Sequence, residues 1–552
     1  MAPKTSELES RTDRRTFLQA VGAAGAAATI AGCTGDDPEE TGNGNGNGNG
    51  NGNGNGNGNG DTDDEPDDPV HGGTLRVGYE AELTGLDPHN ISSVVSWNAV
   101  YNVCETLVTF EEGEIVGSIA EDWSVDGLVY TFQIREGIQF HPPVSRELTA
   151  EDVAYSINRM RDEDAATDDI RNNVAGAEAT GDYEVEVELE DSFGPFLPFL
   201  ARPNFVVIPE EAVEDQGGEI GDFQEPVGTG PFVFDEHQQG DFFRLTAFDD
   251  YRHEEYPYVD EVEVTIIPDE DSRGLAVRND DVDFARDVPY RDADQLQDGD
   301  DTKVFLEDGT GWAQIHINCS REPWDNPAVR RAVAHVFDRQ AVVDTALAGL
   351  GTPAWQPYPE GNFWHFDDLE NIRERDLERA QEILDEAGNP LEDETLVIKT
   401  TSAYPVMEAS AEILQANLTE AGIDAEIDNL DWGTMLDDFI SSNFGAMAFS
   451  VPFKEDPDRH YFGFLEEGGY NKYGDDQPDA ERIRELIVEG RREMDQDARL
   501  EIYEELEELV QDHLPWISVS HAPNVIGLRE NVYGVEEWFL PYNRYWTVWL
   551  DE

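Results

Sequence analysis

Residues that catalysis or metal binding would need are plentiful in this chain, but they do not fall into patterns. The 552 residues include 121 Asp+Glu, 11 His and 3 Cys. No His-Glu-x-x-His pair occurs, and no phosphate-loop, nucleophile-elbow or dinucleotide glycine motif stands at a strand-to-helix junction. The nearest glycine turn, Gly228-Thr229-Gly230-Pro231, lacks a third glycine. Its proline also removes a backbone donor where a phosphate would need one, so it reads as a structural turn. Paired carboxylates would suit glycoside hydrolysis, but 121 acids offer pairs everywhere and single out none. His141, His253 and His316 are scattered and read as structural. Cys104 and Cys319 lie far apart, without a Cys-x-x-Cys motif, and read as small buried hydrophobes rather than a bridge. No catalytic residue, metal ligand or cofactor is nominated.

The elements that would position any site alternate between strand and helix. Leu128, Tyr130, Phe132 and Ile134 alternate with polar neighbours, as do Tyr183, Val185, Val187 and Leu189 and then Val262, Val264 and Ile266, each the period of a strand. Thr149-Ala150-Glu151-Asp152 opens a helix in the manner of a capping box, followed by Val153, Ile157 and Met160 on one face. Pro327, after Asp325-Asn326, opens another that runs through Val329, Val333, Val336 and Phe337. Stripes at Leu377, Ala380, Leu384 and Ala387 and at Met407, Ala411, Leu414, Leu418 and Ala421 end at Gly388 and Gly422. An acidic helical region spans about 479–512. The fold class is α/β, without the strict repeat of a barrel.

Charge excludes one class of partner. Against 121 acids stand 36 Lys+Arg, a formal net charge of −85, and such a field repels nucleic acid and anionic lipid. Hydrophobic residues at 39%, with 11 Trp, supply a large core and argue against disorder. The acidity reads as halophilic adaptation, because self-repulsion is screened within about 3 Å at 1 M salt.

The N-terminus reads as an address and a tether. Arg14-Arg15 precedes an apolar run of about 15 residues, short of the roughly 20 a span needs. With a small-residue end, this is a signal peptide. Asp13-Arg14-Arg15-Thr16-Phe17-Leu18 resembles a twin-arginine export signal. Ile30-Ala31-Gly32-Cys33 resembles a lipobox, which makes Cys33 the lipidated residue and residues 1–33 the leader. Residues 34–71, with strict Asn-Gly alternation from Asn43 to Gly60 and an acidic stretch after it, read as a disordered tether.

Across 72–552, short segments in a fixed order resemble extracytoplasmic solute-binding proteins of family 5, the peptide, dipeptide and nickel group of ABC importers. Leu75-Arg76-Val77-Gly78 and Gly85-Leu86-Asp87-Pro88 resemble the opening strand and Leu-Asp-Pro turn of that family. Ile119-Ala120-Glu121-Asp122-Trp123, Tyr130 to Gly137, Phe140-His141 and Leu148 to Val153 resemble its next stretches. Pro226 to Phe232, Asp250-Tyr251, Val329-Arg330-Arg331-Ala332-Val333 with Asp338-Arg339, Ala380 to Gly388, Asp456-Pro457 and His513-Leu514-Pro515-Trp516 follow in family order.

The resemblance implies a two-lobed periplasmic-binding-protein-like fold of type II, in its large peptide-binding class, with an extra inserted domain. Lobe I would comprise 72–114, 220–310 and 521–552, the inserted domain 115–219, and lobe II 311–520. It implies a monomer, not an enzyme, that closes by a hinge on a small solute, a peptide first, and delivers it to ABC permease subunits. The chain would stand outside the cell, held to the membrane by its lipid. An oligosaccharide or other organic solute is the alternative within the class, and a tethered extracellular hydrolase the alternative outside it. In peptide binders of the family an acid stands four residues before the late proline; here that position is Phe453. A second pocket acid corresponds to Ser92. Trp432 retains a family tryptophan, and Trp432 and Phe453 would stack on a planar or apolar ligand. Trp97 and Trp312 are further candidates.

Overall fold

The computed structural model describes residues 69–551, apart from 92, 112, 163–168, 370–372, 453, 466–472, 537–539 and 541. Arg14, Arg15, Cys33, Ser92 and Phe453 therefore lie outside the described residues, as does most of the tether.

One large mixed sheet runs through both lobes. In the first lobe, Thr74–Tyr79 pairs in parallel with Glu261–Ile266 on one side and Phe284–Ala285 on the other. Phe242–Ala247 and Phe232–Gln238 extend this half antiparallel. In the second lobe, Ala446–Pro452 and Asp424–Asn429 flank Thr395–Thr400, both in parallel. Two long antiparallel strands, Thr302–Ile317 and Trp516–Arg529, join the halves. Their ladder breaks between Glu307 and Gly311 and resumes on the second-lobe side. A bulge of this kind bends a strand and loosens its pairing, which is what a hinge between the lobes would need.

A separate four-stranded sheet, Ala120–Asp126, Val129–Ile134, Glu184–Leu189 and Val174–Gly181, belongs to the inserted segment. The alternation read from sequence holds there. Tyr130, Phe132 and Ile134, with Val185, Val187 and Leu189, are buried beneath helix Ala150–Asp162, while the glutamates between the valines point outward. Asp152 caps its own helix start by accepting from the Thr149 N–H at 2.9 Å.

Local signals placed the helices. Asn326 accepts from Ala328 N at 3.0 Å and Pro327 opens helix Pro327–Val336. Asp376 accepts from Arg379 N at 2.9 Å and opens helix Leu377–Glu386, and Gly388 follows at φ 79°. The acidic region is two helices rather than one, Ala480–Arg492 and Gln496–His513. Asp495 breaks them apart because its carboxylate caps the second.

The glycine turn is structural, as expected. A Cβ on Gly228 would stand 2.3 Å from the Val103 carbonyl oxygen, so only glycine lets this turn meet the end of helix Val94–Val103. His141 sits against it, its Nε2 donating to the Gly230 carbonyl at 2.9 Å. Burial holds that imidazole at about 4, hence neutral. Cys104 and Cys319 are both buried and free. Among the described residues no helix is long and apolar enough to cross a membrane.

The Leu-Asp-Pro turn is a knot between the first lobe and the inserted unit. Buried Asp87 receives Arg159 Nη1 at 2.9 Å and Nη2 at 2.7 Å, and Gly221 N at 2.7 Å. Burial works to raise this carboxyl, but Arg159, His89 and the Gly221 amide outweigh it and hold it below the ordinary range.

Candidate functional site

Parallel strands end together at one edge of the first lobe. Tyr79, Ile266 and Ala285 are their last residues. Val288 N, just beyond, bonds Val525 O at 3.1 Å, beside the Glu307–Asn524 pair that immediately precedes the hinge bulge. In open α/β sheets, ligands bind outside the carboxyl ends of the strands. The crevice between the lobes, floored by this edge, is therefore the candidate site.

The inserted unit reaches across to the second lobe. Arg202, buried over the rings of Phe199 and Phe205, pairs with buried Glu455 at 3.4 Å. Arg459, one helical turn on, holds the same carboxylate at 3.0 Å. Burial alone would raise the Glu455 carboxyl, but Arg459, Arg202 and Lys454 overcome it, and its pKa is lowered. Tyr542, from the C-terminal segment, lies in the field of these groups, and burial raises its phenol. Nearby, Gly194 N donates to Arg491 O at 2.8 Å. A Cβ on Gly194 would stand 2.1 Å from Glu493 O, so the two units touch backbone to backbone.

Of the candidates read from sequence, Trp97 lies on helix Val94–Val103 of the first lobe. Its Nε1 donates to Ile91 O at 3.3 Å, and its ring meets Tyr542 edge-on at 5.7 Å. Trp312 lies on the second-lobe side of the hinge strand, buried edge-on to His460 at 5.4 Å and Trp516 at 5.6 Å. Its Nε1 finds no hydrogen-bond partner among the described residues. Trp432 opens helix Trp432–Ile440 and packs on Tyr404 at 5.0 Å and Phe449 at 6.0 Å within the second lobe. Tyr542 thus ties Trp97 to the Arg202–Glu455 cluster, whereas Trp432 packs apart from it.

Sequence reasoning missed Arg202, Glu455, Arg459 and Tyr542. Arg202 carried a signal: a lone cation within the apolar run Phe196 to Phe205 must be buried, and a buried cation needs an acid. Glu455 carried none, being one acid among 121.

The chemistry on offer is recognition. Buried aromatic faces, fixed charges and unpaired donors suit a ligand. Among the described residues no group of three His, Cys, Asp or Glu is placed to hold a metal ion. Burial pushes the Cys104 thiol up and the Cys319 thiol to about 12, which leaves both inert.

The family model described as "Bacterial extracellular solute-binding proteins, family 5 Middle" matches residues 114–474. Di/tripeptide-binding protein 2 of Pseudomonas aeruginosa is 29% identical over 498 residues, 84% of this chain and 92% of that protein. Glutathione-binding protein GsiB of Escherichia coli is 27% identical over 369 residues, 65% of this chain and 69% of that protein. Among solved structures, the substrate-binding protein CtaP of Listeria monocytogenes superposes with a TM-score of 0.79 at 20% identity, covering 87% of this chain and 100% of that one. DppA of Helicobacter pylori, in complex with the peptide STSA, superposes at 0.72 and 24% identity, covering 88% and 99%.

Proposed function

The chain belongs to family 5 of the extracellular solute-binding proteins, and we propose that it captures a peptide outside the cell by closing its lobes and delivers it to the permease of an ABC importer. The observation that carries this reading is the hinge: two strands cross between the lobes and their ladder breaks at the crossing. The inserted unit meets the far lobe there through Arg202 and Glu455. Contacts that join lobes only when closed let a ligand shift the equilibrium by its extra affinity for the closed form.

In this reading lobe I is 72–114, 220–310 and 521–552, the inserted domain 115–219 and lobe II 311–520. The bulge after Glu307 supports the boundary at 310. Trp97, Trp312, Phe453 and Ser92 would line the crevice and Trp432 its outer part. Arg14 and Arg15 would direct export, and Cys33 would carry the lipid that holds the chain at the membrane. The peptide assignment draws on relatives named for di- and tripeptides and on a fold neighbour in complex with the peptide STSA. A non-peptide organic solute is the second reading, because AgaA in complex with agropinic acid shares the fold at a TM-score of 0.70.

Native mass spectrometry of protein purified from its own host tests the assignment. Release of peptide masses on denaturation is the expected result; release of a single non-peptide solute would transfer the assignment to the second reading. For the anchor, Cys33→Ala should shed the protein into the medium, and unchanged membrane retention would sink that claim.

A further inference from the structure

The contact between the inserted unit and the second lobe is built to part. Each buried charge in it keeps company on its own side. Glu455 keeps Arg459 when Arg202 withdraws, and Arg202 rests over Phe199 and Phe205 of its own unit. Buried Asp458 keeps Arg491, whose Nη1 reaches it at 2.6 Å from the last turn of helix Ala480–Arg492. Arg499 keeps both oxygens of Asp456. Separation therefore leaves no buried acid without a cation, the step that would otherwise cost most.

What is lost on separation centres on Arg491. Phe193, a buried ring of the inserted unit's core, lies 4.9 Å from its guanidinium carbon, and Phe462 of the second lobe lies 3.9 Å from the same atom. A flat cation meeting two rings is held by their faces. The next residue of the inserted unit, Gly194, gives its N–H to the Arg491 carbonyl at 2.8 Å. Met494 packs from the second lobe on the same apolar cluster as Phe193. The remaining pair, Arg492 with Asp191 at 3.0 Å, is more than half exposed on both sides and adds little. Arg491 thus engages the inserted unit twice, by its side chain on a ring and by its carbonyl on an amide.

All these groups belong to the chain, so they attract one another with or without a ligand. We propose that Phe193, Gly194 and Arg491 form a latch that holds the lobes together part of the time in the unliganded chain. A ligand then supplies only the remainder of the closing free energy, and the affinity for any ligand rises with the fraction of chain already latched. The latch rests on the hinge-closure reading above and is independent of the peptide assignment.

Amide exchange at Gly194, followed by mass spectrometry resolved to single residues on the full chain without ligand, tests it. This N–H crosses between the lobes, so its protection counts the time spent latched. It should exchange several-fold more slowly than an unstructured amide, yet far faster than Val185 and Val187 in the inserted sheet. Arg491→Lys keeps a cation for Asp458 but loses the flat group that meets the rings. Exchange at Gly194 should then quicken about threefold or more, with Val185 and Val187 unchanged, which also shows that the variant folds. Phe462→Leu should act in the same direction and less. Free-chain exchange at Gly194 in wild type, or protection that Arg491→Lys leaves intact, overturns the latch and leaves closure on a ligand standing. Protection at Gly194 as strong as at Val185 would mean that the lobes never part, and would remove the hinge reading with the latch.

Discussion

Two buried arginines in this molecule behave oppositely. Arg499, in the second lobe, is 2% exposed and saturated. Its Nη1 and Nη2 each reach an oxygen of buried Asp456 at 2.8 Å, its Nε reaches Gly490 O at 2.9 Å, and Trp364 and Tyr503 cover its faces. Arg286, at the crevice floor, is as deeply buried but bonds none of its three neighbouring carboxylates. The first satisfies itself and belongs to the fold. The second keeps its charge without a bonded acid, and it stands where parallel strands end. Saturation, rather than burial, distinguishes the two.

Breaking the saturated pair should have the largest effect. Asp456→Ala strands Arg499 in the core, at a cost of about 3–5 kcal/mol. Denaturant unfolding should show that loss; a change under about 1 kcal/mol would mean the pair is not what holds this region.

A buried acid with no cation sharpens the contrast. Glu507, on the same helix as Arg499, is fully buried, accepts from the Tyr461 hydroxyl and takes Gln511 Nε2 at 2.8 Å. Burial lifts its pKa to about 7 against those bonds. A group raised on folding contributes stability below its unfolded pKa, near 4.3, and that contribution is lost as pH rises through the folded value. Stability should therefore fall by up to about 3 kcal/mol between pH 4 and 8 from this residue alone. Glu507→Gln should remove that part of the decline in urea titrations across pH, and an unchanged slope would contradict it.

The unsaturated site should respond the other way round. Arg286→Gln should cost less stability than Asp456→Ala, about 1–2 kcal/mol, because no bonded carboxylate is left behind. Equal stability losses from the two variants would erase the distinction between them. The smallest effect belongs to the contact across the crevice. Gly194→Ala sets a Cβ against the Glu493 carbonyl and the Arg499 side chain, and affinity should drop several-fold, roughly 1 kcal/mol, with a smaller loss in unfolding midpoint than Asp456→Ala.

Caps and periods are local, so Asn326-Pro327, Asp376, Gly388 and the alternating valines of 185–189 announced their elements in sequence. The two lobes were legible only through the ordered resemblance, because Thr74 pairs with a strand at Glu261 that no local pattern connects to it. The acid missing at Phe453 was readable by counting back from Pro457. The cluster beside that segment was not: Glu455 is one of 121 acids, and its standing comes from Arg202 and Arg459 packed on it. Arg286 sits in Asp-Phe-Ala-Arg-Asp, which reads as an ordinary strand end. Lack of a partner is a property of the folded surroundings and leaves no mark on the chain.

The central claim is that the lobes close on a bound peptide. Small-angle X-ray scattering of the full chain, recorded through a titration with tri-alanine whose binding is followed calorimetrically in the same buffer, tests it most directly. The radius of gyration should fall in step with saturation. Saturable binding with an unchanged radius of gyration would contradict closure.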